Sequence, residues 1–169
     1  MNGVVATTQR LSLRRMTYGD RANLLQIFSD PVAMQYYPST MNEEETMRWI
    51  RRTLANYDTY GVGFWVVEDK ATGRFLGQCG IIPQDLDGTR HMEIAYLFVR
   101  REWGHGYATE AASACKQYGF DTMGYAKLIS LIDVRNAPSM RVAERIGMRV
   151  EKIIIKWAKE VRVYAISAG

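Results

Sequence analysis

Two periods alternate along this chain. Leu11 and Leu13, with Arg14 after them, make a short period-two run that predicts a first strand. Thr17 then opens a helix, with Asp20 three residues on as its capping-box partner. Leu24, Ile27 and Phe28 form the apolar stripe of that helix, and Asp30-Pro31 ends it. After the loop at Tyr36-Tyr37-Pro38-Ser39, Asn42 caps a second helix, again with an acid, Glu45, three residues later. Met47, Ile50, Leu54 and Tyr57 give it a buried face, and Gly61 and Gly63 break the pattern. Three strands follow, Phe64 to Glu68, Phe75 to Ile82 and His91 to Val99, with Asp87-Gly88 as the hairpin signal between the last two. Ala108, Ala111, Ala112, Cys115 and Tyr118 then recur at helical spacing to about Phe120. Lys127 to Asp133 is a strand entered from a helix, hence parallel to its predecessor. Asn136 to Ile146 is a helix stopped by Gly147. Arg149 to Trp157 and Val161 to Ser167 form a last hairpin across Lys159-Glu160. The predicted order is β-α-α-β-β-β-α-β-α-β-β, an α+β domain (α/β by some schemes) spanning residues 1–169.

The junction between the His91–Val99 strand and the next helix carries the candidate chemistry. It reads Arg100-Arg101-Glu102-Trp103-Gly104-His105-Gly106-Tyr107-Ala108-Thr109. The first N–H groups of a helix lack partners within it and sit at the positive end of its dipole. Two glycines let that backbone approach a ligand, which makes an anion cradle suited to a phosphate or pyrophosphate. Unaided, a Gly-x-Gly at such a junction is as compatible with a tight connection that binds nothing. A Walker loop is excluded, because no Gly-x-x-x-x-Gly-Lys-Ser/Thr exists. The dinucleotide fingerprint is disfavoured: Thr109 stands where its third small residue belongs, and no carboxylate follows in Ala126-Lys127-Leu128-Ile129.

Arg101-x-x-Gly104-x-Gly106 resembles the Arg/Gln-x-x-Gly-x-Gly/Ala motif of the GNAT superfamily of N-acetyltransferases. Asn136-Ala137-Pro138-Ser139 through Gly147-Met148 resembles the Asn-x-x-Ser...Gly-Phe/Met segment of its RimJ/RimL-like branch. The resemblance runs from Leu11 to about Tyr164. It implies the GNAT fold: a mixed central sheet with a splayed parallel pair and helices on both faces. It also implies acetyl-coenzyme A as co-substrate and direct acetyl transfer to a primary amine, such as a protein N-terminal α-amine. Donor contacts are expected at Leu97, Phe98, Val99, Arg101, Gly104, His105, Gly106, Tyr107, Ala108, Thr109, Asn136, Ser139 and Arg145. A backbone N–H near Leu97 to Val99 would bind the reacting carbonyl oxygen, a contribution often worth ~3 kcal/mol.

Glu93 is the expected base. It stands in an otherwise apolar strand, where an unpaired acid is expensive unless it faces a wet cavity. The Glu-Ile-Ala-Tyr string from Glu93 resembles the family's Glu-Ile-Gly-Tyr. The bland reading leaves Glu93 exposed near the hairpin mouth, and Glu110, in a first helical turn, is the second candidate. An α-amine of pKa near 8 costs about 1.4 kcal/mol to neutralise at pH 7, and a lysine near 10.4 roughly 4.6 kcal/mol. Many GNAT members place a tyrosine acid seven residues after the asparagine. Ala143 stands there in this chain, so Ser139 is taken as its catalytic substitute. Tyr36, Tyr37 and Trp157 are expected around the acceptor. The missing tyrosine keeps open a second reading, a catalytically silent acyl-coenzyme A sensor.

With 169 residues, 47% hydrophobic and 24% charged, the chain can bury one ordinary core. Met1 to Gln9 lacks the pattern of a signal peptide, and no apolar run reaches spanning length, so a cytoplasmic address with no membrane partner is expected. Cys79, Cys115, His91 and His105 show no metal spacing, and no metal is expected. Net charge is +4, but the arginines are scattered, against a nucleic-acid surface. Arg51 and Arg52 read as a solvated face. The C-terminal strands are candidates for pairing in a homodimer.

Overall fold

The structure is a computed structural model and describes residues 3–169. Eight strands form one sheet: β1 (Val4–Thr7), β2 (Leu11–Arg15), β3 (Phe64–Asp69), β4 (Phe75–Leu86), β5 (Thr89–Phe98), β6 (Lys127–Asp133), β7 (Arg149–Lys156) and β8 (Lys159–Ser167). Their spatial order is β1-β2-β3-β4-β5-β6-β8-β7. Every neighbouring pair is antiparallel except β5 and β6. The helices are α1 (Arg21–Phe28), α2 (Glu43–Tyr60), α3 (Tyr107–Gln117) and α4 (Ala137–Arg145).

Helices cover both faces, and two adjacent β4 residues demonstrate it. Gln78 Oε1 accepts from Trp49 Nε1 of α2, whereas the next residue, Cys79, meets Cys115 of α3. Successive strand residues point to opposite faces, so α2 and α3 lie on opposite sides. The core follows from this layering. Trp65, Phe28, Leu13, Leu24, Ile50, Leu76 and Ile81 are at most 1% exposed, each contributing roughly 1.5–3 kcal/mol by burial. The sheet layer is thin at β4: a Cβ on Gly80 would lie 2.0 Å from the Gly63 carbonyl oxygen, so only glycine allows β3 that close.

Several boundaries differ from the sequence reading. The edge strand β1 was not anticipated, because four half-exposed residues carry too little alternation to register. The capping box at Thr17 and Asp20 is present but closes a 3-10 turn that precedes α1. The box at Asn42 and Glu45 caps α2 as expected, with bonds of 2.9 and 3.1 Å. β4 and β5 extend to Leu86 and back from Thr89. α3 ends at Gln117 and continues as a π turn to Thr122. The final hairpin turns at Trp157 and Ala158, both at positive φ, while Lys159 and Glu160 belong to β8. Among the described residues, no helix is long and apolar enough to cross a membrane.

Candidate active site

The junction between β5 and α3 is built as a donor surface. Gly104 and Gly106 take φ of +83° and +78°, the left-handed region that disfavours a side chain. Gly106 is the N-cap of α3. The helical ladder begins only with Glu110 N–H to Gly106 C=O at 3.1 Å, and the amides of Gly104 through Thr109 have no acceptor among the described residues. A run of unpaired N–H groups in a bend with open space at Gly104 fits a diphosphate. Arg10 braces the bend from outside: its Nη1 donates to the His105 carbonyl at 2.9 Å, and its guanidinium lies over the Tyr107 ring.

From there the sheet opens. β5 and β6 share a single register pair, Glu93 and Ile129. Two side chains replace the missing ladder. Ser130 Oγ donates to the Ile94 carbonyl at 2.6 Å, and the Leu131 amide donates to Glu93 Oε2 at 2.6 Å. Beyond them the strands part toward their C-terminal ends. The Val99 amide donates to Leu76 of β4, so alternation turns the amides of Tyr96 and Phe98 toward the gap. Leu97, singled out by the sequence, also lines the cavity, but its backbone pairs with Gln78 of β4; Tyr96, whose amide faces the gap, was not among the expected positions. The Phe98 carbonyl accepts from Trp103 Nε1 at 3.0 Å.

A cavity of about 910 Å³ fills the opening, and Glu93, Tyr96, Leu97, Asn136 and Ser139 all line it. Glu93 is 5% exposed. Burial pushes its carboxyl up to about 7, against the lowering effect of the Leu131 amide, the Gln84 side chain at 3.0 Å and the Lys156 charge. A buried acid poised near neutrality, facing a cavity, is suited to accept a proton.

The family model described as an acetyltransferase (GNAT) domain matches residues 10–149. The chain belongs to the GNAT acetyltransferase family. It is 48% identical over 158 residues to the uncharacterised protein YkkB of Bacillus subtilis (strain 168), covering 93% of this chain and 92% of that one. The acetyltransferase from Agrobacterium tumefaciens str. C58 superposes with a TM-score of 0.85 at 28% identity, over 96% of this chain and 94% of that one. RimL, a ribosomal L7/L12 α-N-protein acetyltransferase solved with coenzyme A, shares the fold at 15% identity, with a TM-score of 0.80 over 97% of each chain.

Three loops roof the GNAT cavity, and Asp133 joins them. Its side chain, 3% exposed, accepts from Arg135 Nη2 at 2.7 Å and Lys159 Nζ at 3.0 Å. These partners, Arg135 first, hold its carboxyl well below the usual carboxylate range. Lys159 also donates to the Tyr36 carbonyl, and the Tyr36 hydroxyl donates to the Arg135 carbonyl at 3.1 Å. Tyr36 is thus a strut of the roof, its hydroxyl already engaged. Tyr37 is 39% exposed and lines the cavity, where desolvation above all, then the Glu93 charge, raises its phenol above the ordinary range. Trp157 joins the wall from the β7–β8 turn.

Asn136 caps α4 by accepting from the Ser139 amide at 3.3 Å, and the Ser139 carbonyl takes the Tyr96 hydroxyl at 2.7 Å. Ser139 lines the cavity, and its hydroxyl has no hydrogen-bond partner among the described residues. Other expectations need correction. Glu110 is no base candidate, because Arg10 and Thr8 occupy its carboxylate. Trp103, for which core packing was more natural for an indole in this loop, is 45% exposed. The Arg101 side chain turns away to Gln26 at 2.8 Å, so only its position in the bend matches the motif. Ala143 is fully buried in the core, which leaves a tyrosine no room there. Arg145 lies at the far end of α4, on a second groove of about 800 Å³ that starts at Gly106 and passes Thr109 and Glu110. Val99 is buried, and Ala108 is half-buried in the first turn of α3.

Proposed function

We propose that the protein transfers an acetyl group from acetyl-coenzyme A to a primary amine, with Glu93 as the base. One observation carries the assignment: a buried carboxylate, with its pKa raised to about 7, lies where the parallel strands part and faces the shared cavity. The amides from Gly104 to Thr109 hold the donor's diphosphate. The unpaired amides of Tyr96 and Phe98 face the gap and can take the thioester oxygen as negative charge develops on it. Glu93 accepts the ammonium proton, directly or through one water. The amine nitrogen attacks the acetyl carbon and the carbon–sulfur bond breaks. The coenzyme leaves as a thiolate; a thiol of pKa ~8.5 requires little help. Ser139 and Asn136 stand beside that leaving position, and the buried Ala143 supplies no acid. An α-amine fits a base of this strength better than a lysine does, by about 3 kcal/mol of deprotonation at pH 7.

Free thiol release from acetyl-coenzyme A with a panel of amines tests the reading. Turnover that rises with a primary amine and falls in Glu93→Gln supports it. Tight donor binding with no turnover for any amine favours the silent sensor.

A further inference from the structure

The cavity wall formed by α2 is chemically unlike the rest. Trp49, Arg52, Thr53 and Asn56 line it, a stripe at helical spacing. Arg52 and Asn56 stand one turn apart, so their side chains emerge about 6 Å from each other on one face. Every other cation lining the cavity is engaged: Arg135 and Lys159 both bind Asp133. Arg52, exposed at the cavity mouth, meets no carboxylate, and the half-buried Asn56 makes no side-chain hydrogen bond, among the described residues. A free guanidinium beside a free amide presents a set of N–H donors, the arrangement that takes a carboxylate in a forked geometry. The charges agree. Arg52, Arg135 and Lys159 face the cavity against Asp133 and Glu93, and Asp133 is already neutralised by its two partners. Tyr37, Phe64 and Trp157 add aromatic surface to the same cavity, with Phe64 stacked on Trp49 of α2.

We propose that the acceptor is an amine that also carries a carboxylate, with Arg52 and Asn56 seating the carboxylate and the aromatic surface taking an apolar side chain. This rests on the acetyl-transfer reading and names its substrate class: free apolar or aromatic amino acids and close analogues. The reacting amine points to Glu93 while the acid group stays on α2.

Three amines that share one aromatic skeleton test it: phenylalanine, its amide and phenethylamine. Charge-assisted hydrogen bonds of this kind correspond to roughly a 10- to 100-fold preference in kcat/KM for the carboxylate-bearing compound, read with each amine's own protonation corrected. In Arg52→Ala the ratio of acid to neutral amine falls toward one, and Arg52→Lys keeps part of it. Equal or better turnover of phenethylamine by the unaltered protein overturns the proposal, and so does an undiminished ratio in Arg52→Ala. Equilibrium binding of the three amines, in the presence of coenzyme A, separates the two readings. If no amine is acetylated yet phenylalanine binds more tightly through Arg52, acetyl transfer is lost and the carboxylate seat stands. If all three bind alike, the seat is lost whatever the turnover.

Discussion

Replacing Glu93 by glutamine separates a base from a strut, because the two roles respond oppositely to pH. The carboxylate is 5% exposed and accepts from the Leu131 amide at 2.6 Å and from Gln84 Nε2 at 3.0 Å. Burial raises its pKa from 4.5 to about 7. The folded state therefore holds this proton more tightly than the unfolded chain. The stabilisation is fully present below about pH 4.5 and is lost as pH rises through about 7. Above that, the ionised group costs about 3 kcal/mol relative to its protonated form. Glutamine keeps the shape, removes the charge and still accepts from Leu131 through its amide oxygen, while Gln84 can rotate its amide to present an acceptor. Denaturant unfolding near pH 8 should show Glu93→Gln more stable by about 1–3 kcal/mol, and near pH 5 the gain should vanish. Thiol release should fall roughly 10²- to 10⁴-fold. The acidic limb of the rate profile near the Glu93 pKa of about 7 should disappear. A variant equally destabilised at both pH values, or one that keeps the acidic limb, would falsify the desolvated-base account and leave Glu93 a structural bridge to Leu131.

Three further substitutions probe the donor bend, the roof and the missing acid. Gly104→Ala puts a side chain at φ +83° where no atom lies within 4 Å, so the penalty is backbone strain of about 1 kcal/mol; a several-fold rise in donor KM with acceptor KM unchanged is expected from initial rates. Asp133→Asn unpairs Arg135 and Lys159. Because the folded carboxyl sits below its ordinary range, the lost contribution is one present above about pH 4 and fading under acid, about 2 kcal/mol near neutrality, read by thermal unfolding together with a raised acceptor KM. Ala143→Tyr overfills a fully buried position. It should lose about 1–3 kcal/mol of stability without accelerating turnover, and a faster enzyme would mean that the ring had found the cavity.

What the sequence revealed follows from how local each signal is. The bend before α3 was legible because two glycines stand between an apolar strand and a helical stripe, and both take positive φ; Glu93 stood out because an acid in that strand contradicts its neighbours, and it is buried at the cavity. β1 was not legible, since its pairing with β2 depends on residues beyond Thr7 rather than on its own pattern. The Trp157–Ala158 turn escaped because neither residue type favours the left-handed backbone that both adopt. The Asp133 roof joins residues from three distant loops, and no spacing encodes it. Arg52 reads as a solvated helix face in sequence and is exposed in the structure; that it also lines the cavity together with Tyr36 to Pro38 is a long-range fact no spacing encodes.

The parting of β5 and β6 ties the sheet to the chemistry. A continuous parallel pair would satisfy the backbone groups of Tyr96 and Phe98 within the ladder and leave none for a substrate oxygen. One register pair, at Glu93 and Ile129, is where the ladder stops. Ser130 and Glu93 then bond backbone groups across the gap in its place. The Glu93 bond is charge-assisted when the carboxylate is ionised and weaker when it is protonated. Protonating Glu93 therefore weakens the contact that fixes where the strands separate. Glu93 cannot be moved one residue along β5 without pointing its side chain to the other face of the sheet, away from the Leu131 amide. The position of the proposed base and the depth of the opening are thus set by the same residue.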